Sequence, residues 1–133
     1  MFQNTGVQSV LEKSIFLAMM LTLVMSPVLE TIIFQFGIFE ILYGIIGAFK
    51  RNKTKWNTLI PATITVTLFA FAHNFSMAYI IIIFLPSVLF QITYIKFRTE
   101  QKMSRAIMFT MLQHFIYNAS TVVFSMIYYL IFK

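Results

Sequence analysis

SIFLAMMLTLVMSPVLETIIFQFGIFEILYGIIGAF, residues 14–49, holds two charged side chains, Glu30 and Glu40, and is otherwise almost uniformly apolar. A bilayer is crossed by about 20 apolar residues as a helix, so the stretch is too long for a single crossing. It lacks the in–out alternation of a barrel strand. Pro27 is its one strong punctuation, and proline is favoured in the first turn of a new helix. The stretch therefore divides into a segment from about Ser9 to Met25 and a second from Pro27 to Phe49.

The rest of the chain repeats this apolar character. A third segment spans about Asn57 to His73, with Pro61 in its opening turns. A fourth covers about Ser76 to Phe97 and contains Pro86, which should kink it unless a neighbour satisfies the freed carbonyl. A fifth runs from about Ser104 to Phe132. Overall 59% of residues are hydrophobic and 11% charged, far from the balance of soluble domains. A soluble fold of 133 residues cannot hide that much apolar surface. In lipid only helices or closed barrels satisfy the backbone. The fold class expected is all-α: a polytopic membrane bundle of about five transmembrane helices, forming one domain over residues 1–133.

The net charge of +6 raises the question of nucleic acid, and its placement argues against that partner. Lys50, Arg51, Lys53 and Lys55 form one cluster; Lys96, Arg98, Lys102 and Arg105 form another. Both fall between apolar runs, where the positive-inside rule expects cytoplasmic loops and where anionic lipid headgroups are within reach. The reading is a multi-pass cell-membrane protein with loops 50–55 and 96–105 cytoplasmic. With five crossings the N-terminus, carrying Lys13, shares that face and the C-terminus lies opposite. The first segment reads as a retained helix, since it leads into Ser26-Pro27 without a signal-cleavage pattern. There is no cysteine, which excludes disulfides, thiolate zinc sites and cysteine nucleophiles.

Ionisable groups inside membrane segments are costly and mark candidate sites. Glu30 is a candidate general base; the structural alternative is a helix-start carboxylate stabilised by the macrodipole. His73 ends the third segment and is a candidate too, although a lone histidine at a helix end is more often an interfacial or capping residue than a catalyst. His114 and Asn118 stand at i and i+4 on one face. Asn118 there orients the imidazole or donates to an oxyanion, or else the two make an interhelical bond of about 0.6 kcal/mol. Glu40, rotated about 80° from Glu30 on an ideal helix, reads as structural, either paired with a polar neighbour or protonated. Gln35 and Gln91 are uncharged companions.

Three of these stretches resemble one family. Residues 27–35, PVLETIIFQ, are similar to the first motif of the CAAX-protease and bacteriocin-processing (Abi) family, two adjacent glutamates followed by an arginine. Phe69 to His73 matches its FxxxH motif and His114 to Asn118 its HxxxN motif. The three occur in order over about residues 25–120. The resemblance implies an all-helical intramembrane endopeptidase with Glu30 activating water. His73 and His114 would position water or stabilise the transition state, and Asn118 would help hold the oxyanion. Members are often described as metalloproteases, and a metal-free glutamate route has also been argued. A divalent metal such as zinc and a metal-free mechanism are both open, and no HExxH motif is present. The implied substrate is a short or membrane-attached peptide, such as a bacteriocin or pheromone precursor.

Two positions depart from the pattern: Thr31 replaces the second glutamate and Gln35 the arginine. Losing one partner of an ion pair strands a charge, whereas losing both is mild, so the exchange reads as a coordinated neutral replacement. It leaves two outcomes, an active peptidase or a non-catalytic member serving bacteriocin self-immunity or as an accessory subunit. A small transporter or holin-like pore is a third class, without an account of the three motifs. Helical rise puts Glu30 about 30 Å from Lys50 and His73 about 27 Å from Lys55, but His114 only about 14 Å from Arg105. One shared site therefore requires the fifth helix to protrude or the helices to tilt.

Overall fold

The computed structural model describes residues 15–49 and 55–132. Lys13, the start of the first expected segment, and Lys50, Arg51 and Lys53 of the first basic cluster lie outside the described residues. Four helical rods and no strand occur among the described residues. α1 is one continuous rod over residues 15–49, α2 is Trp56–Ala72, α3 is Met77–Glu100 and α4 is Met103–Phe132.

The expected break at Ser26-Pro27 does not occur, and the first two expected segments form one rod. α1 changes its winding instead. Ile15–Met20, Ser26–Glu30 and Phe39–Phe49 are α-helical, whereas Leu21–Met25 and Thr31–Ile38 are wider π-helical turns. Proline removes one backbone donor and crowds the preceding turn. A π turn immediately before Pro27 loosens that crowding, and the chain stays helical. Ile15 therefore lies at the end of the rod opposite Phe49, whereas five crossings would start the N-terminal segment at the same end as Phe49.

α3 also stays helical through its proline, Pro86, which is buried. It starts where the extended Ser76 accepts the Tyr79 backbone N–H at 3.1 Å through its hydroxyl, as a serine N-cap does. Three rods, Leu17–Phe49, Met77–Glu100 and Met103–Phe132, are long and apolar enough to cross a membrane, and Trp56–Ala72 is a shorter apolar helix.

Burial runs opposite to that of a soluble fold. Thr31, Gln35, Thr65, Ser87, Gln91, Thr110 and His114 are buried, while Leu85, Ile81, Phe124 and Leu130 are exposed. Apolar side chains outside and polar ones inside are what a lipid solvent selects. The chain is an all-α membrane bundle.

Two apolar layers hold the rods together. One packs Phe69, Ala70, Ile83 and Phe90 with Phe34 and Tyr117 around them. The other packs Phe39, Tyr94 and Ala106, with Ala62 and Phe97 at its rim. Beside the second layer Arg98 clasps Glu40, with Nε to Oε1 at 2.5 Å and Nη2 to Oε2 at 2.8 Å. That pair sets residue 40 level with residue 98. α1 then runs about 14 Å past that level to Phe49, whereas α3 ends almost at once, at Glu100. The described end of α1 therefore lies beyond that of α3. Counted from the Glu40–Arg98 level, the expected height mismatch shrinks: Glu30 lies ten residues back along α1, and His114 about 16 Å from the start of α4 at Met103.

Candidate active site

Glu30 ends the short α-helical stretch Ser26–Glu30, between the two π turns of α1. Ser26 stands one turn earlier on the same face, and its hydroxyl donates to Glu30 Oε1. One carboxylate oxygen is thereby fixed, and the other, Oε2, points to the histidines. Oε2 is 3.5 Å from His73 Nε2 and 3.3 Å from His114 Nε2.

His73 caps the end of α2. Its Nδ1 lies 2.8 Å from the Phe69 carbonyl. A carbonyl oxygen only accepts, so Nδ1 carries a proton and Nε2 is the atom turned to Glu30. His114 is deeper, with its side chain 4% exposed. Its ring stacks on Phe90 at 4.4 Å between centroids and meets Phe69 edge-on at 5.7 Å. Phe69 also lies against His73, at 4.7 Å. The first residue of FxxxH is thus the spacer between the two imidazoles.

These contacts constrain where protons sit. A carboxylate oxygen flanked by two bare ring nitrogens would face lone pairs on both sides. At least one of the three groups must present a proton to the others. Separations of 3.3 and 3.5 Å exceed the roughly 2.7–2.9 Å of tight charge-assisted bonds, and catalytic bonds often tighten only when substrate arrives. His114 Nδ1 and Glu30 Oε2 are buried without hydrogen-bond partners among the described residues.

The trio lines a cavity of about 780 Å³. Asn118 and Thr22 also line it, and its wall continues past Tyr79 and Phe75 toward the turn after α2. That end is the one opposite Phe49 and Glu100. Asn118 stands one turn beyond His114, and its Nδ2 donates to the Thr22 carbonyl at 3.0 Å. The structure therefore gathers Glu30, His73, His114 and Asn118 around one cavity, from three rods. Only the first three have side-chain contacts in common.

Thr31 and Gln35 are placed differently. Both are fully buried, at 0% and 1% exposure, and neither lines the cavity. Thr31 Oγ1 and Gln35 Oε1 find no hydrogen-bond partner among the described residues. Gln91 is buried beside Phe90, and both its amide atoms lack a partner among the described residues. Two contributors escape the reading of motifs. Ser26 reads as part of a break, although Ser26 and Glu30 at i and i+4 carry the signal for their bond. Phe90 carries no sequence signal at all.

A catalytic zinc site uses three protein ligands and an open fourth position. Among the described residues no group of three or more His, Cys, Asp and Glu side chains is arranged to hold a metal ion. His73 Nδ1 donates to a backbone carbonyl, as an imidazole that binds through Nε2 commonly does, so that bond is no bar to a metal. As placed, the three side chains do not form such a group, and no step below is routed through a metal.

Comparison with known proteins yields one family. Residues 12–120 match the family described as type II CAAX prenyl endopeptidase Rce1-like, a span that contains all three motifs. No curated protein and no solved structure matches the chain. The match covers most of the sequence, and its family is one of proteases acting in membranes on peptide or protein substrates. With its apolar rods and a match over residues 12–120, the chain belongs to the Rce1-like family of type II CAAX prenyl endopeptidases.

Proposed function

We propose that the chain is an intramembrane endopeptidase in which Glu30 activates water against a peptide bond. The observation that carries this reading is the single oxygen, Glu30 Oε2, set against the Nε2 atoms of both His73 and His114 inside one cavity. Glu30 takes a proton from water as the hydroxyl oxygen attacks the scissile carbonyl. A protonated imidazole then faces the developing oxyanion, and the proton held by Glu30 passes to the leaving amine. Atoms balance with water as the only co-reactant. A positioned base of this kind contributes about 10²–10⁴-fold to rate.

The cavity wall is mainly apolar, and its only charged or imidazole groups among the described residues are Glu30, His73 and His114. An extended, uncharged peptide segment suits such a wall, in keeping with a short or membrane-attached substrate such as a bacteriocin or pheromone precursor. The chain acts as one multi-pass unit, with residues 50–55 and the junction of α3 and α4 at 96–105, mostly helical rather than the expected loop, cytoplasmic by the positive-inside rule. The cavity then opens toward the opposite side. The test is cleavage of candidate peptides by wild-type and Glu30→Gln protein in liposomes, with and without a chelator. Glu30→Gln is expected to stay folded and lose cleavage; full activity in that variant removes the assigned base.

A second reading has one observation in its favour. Thr31 and Gln35, which replace the family's charged pair, are buried with Oγ1 and Oε1 unpartnered, as in a member released from catalysis. Such a chain would serve as a bacteriocin self-immunity or accessory membrane protein. Protection of cells that survives Glu30→Gln intact would favour it over peptidase action.

A further inference from the structure

We propose that Asn118 is a positioning residue whose carboxamide replaces the backbone N–H that Pro27 lacks. By that bond it fixes the wide turn that presents Glu30. The inference deepens the reading of Glu30 as the base and rests on it.

The case begins with the winding of α1. Ser26 N–H donates to the Leu21 carbonyl, five residues back, as π winding requires. Continuing that register, residue 27 would donate to the Thr22 carbonyl. Residue 27 is proline and has no N–H. Thr22 is therefore the carbonyl that the sequence deprives of its partner, and it lies in a membrane rod where a bare carbonyl is costly. Asn118 Nδ2 donates to that oxygen at 3.0 Å, from a residue 96 positions away. Neighbouring helices commonly satisfy backbone groups freed by proline in membrane helices.

The turn secured this way leads directly to the site. Ser26 follows the π turn, and its hydroxyl holds Glu30 Oε1, which leaves Oε2 for the imidazoles. Asn118 sits one turn after His114 on α4. A single pin thus sets the rod carrying the base against the rod carrying His114. π turns recur at functional sites in helices, and here one has an identifiable partner that maintains it.

The alternative is that Asn118 acts on substrate directly, as an oxyanion donor. Restoring the missing N–H separates the two. Four proteins in nanodiscs suffice: wild type, Pro27→Ala, Asn118→Leu, and the double variant, each assayed for thermal midpoint and for kcat and KM on a cleaved peptide. Leucine conserves volume, so the lost donor and not a cavity is tested.

Asn118→Leu is expected to lower the midpoint by about 5 °C and kcat by about 10-fold with little change in KM. Pro27→Ala should stay close to wild type. In the double variant the new N–H takes the Thr22 carbonyl, and both midpoint and kcat return to the Pro27→Ala level. A double variant as impaired as Asn118→Leu in both readouts overturns the proposal. Recovery of the midpoint without recovery of kcat assigns Asn118 to the substrate and overturns its positioning role. Should Asn118→Leu fail to insert alone, insertion of the double variant supports the pin, and failure of both overturns it. A wild type that cleaves no peptide defeats the peptidase reading instead, while the thermal cycle still decides whether Asn118 serves Thr22.

Discussion

Glu30 and Glu40 lie ten residues apart on the same rod, and their side chains are equally exposed, 21% and 20%. Burial does not separate them; their partners do. Glu40 receives Arg98 through Nε and Nη2 and the Tyr94 hydroxyl at 2.8 Å. The Arg98 guanidinium in turn lies 4.3 Å from the centre of the Tyr43 ring. Every strong donor near Glu40 is committed, as in a bidentate pair that fixes geometry. Glu30 has one oxygen held by Ser26 and the other shared by two imidazoles that stand slightly too far away. A carboxylate with a spare oxygen, proton-bearing neighbours and a cavity is equipped to move a proton. A carboxylate in a closed clasp is equipped to hold helices.

Removing His114 should break the Glu30 side of this contrast most severely. His114→Ala is expected to lower kcat about 100-fold, roughly 2.7 kcal/mol of barrier, in a peptide-cleavage assay on folded protein. Arg98→Leu attacks the other side by stranding Glu40. It should cost about 2 kcal/mol in denaturant or thermal unfolding, less than a fully buried pair because a fifth of each side chain is exposed. Its activity should fall only with the folded fraction.

Smaller effects sharpen the comparison. Ser26→Ala removes the bond to Oε1 and should reduce kcat about 10-fold, the worth of one hydrogen bond to a charged group, with helix content unchanged by circular dichroism. Replacing both Glu40 and Arg98 by leucine should be the mildest, with a loss below about 1 kcal/mol in the same unfolding assay, because no charge is left alone.

Much of this contrast was legible in the sequence. Ionisable residues in apolar runs single out Glu30, His73 and His114, and the four-residue spacings of FxxxH and HxxxN put each pair on one helical face. What escaped the sequence was non-local. Pro27 reads as a break because the local rule for proline is to interrupt a helix, yet its freed carbonyl is served by Asn118 on α4. No window of sequence contains both. The height of the site was misjudged for a similar reason. Counting from the basic clusters assumes that they are level, and only the Glu40–Arg98 clasp reveals that α1 extends past α3. Phe90, which stacks on His114, is one apolar residue among many in its run, and pattern alone does not distinguish it.

Cleavage per folded molecule by Glu30→Gln and Glu40→Gln, measured side by side in liposomes on one peptide, tests the division of labour between the two glutamates most directly. The expected result is a loss of at least about 100-fold in the first, with the second retaining wild-type turnover despite a lower thermal midpoint. Equal losses in the two variants, or retained cleavage in Glu30→Gln, would contradict the account.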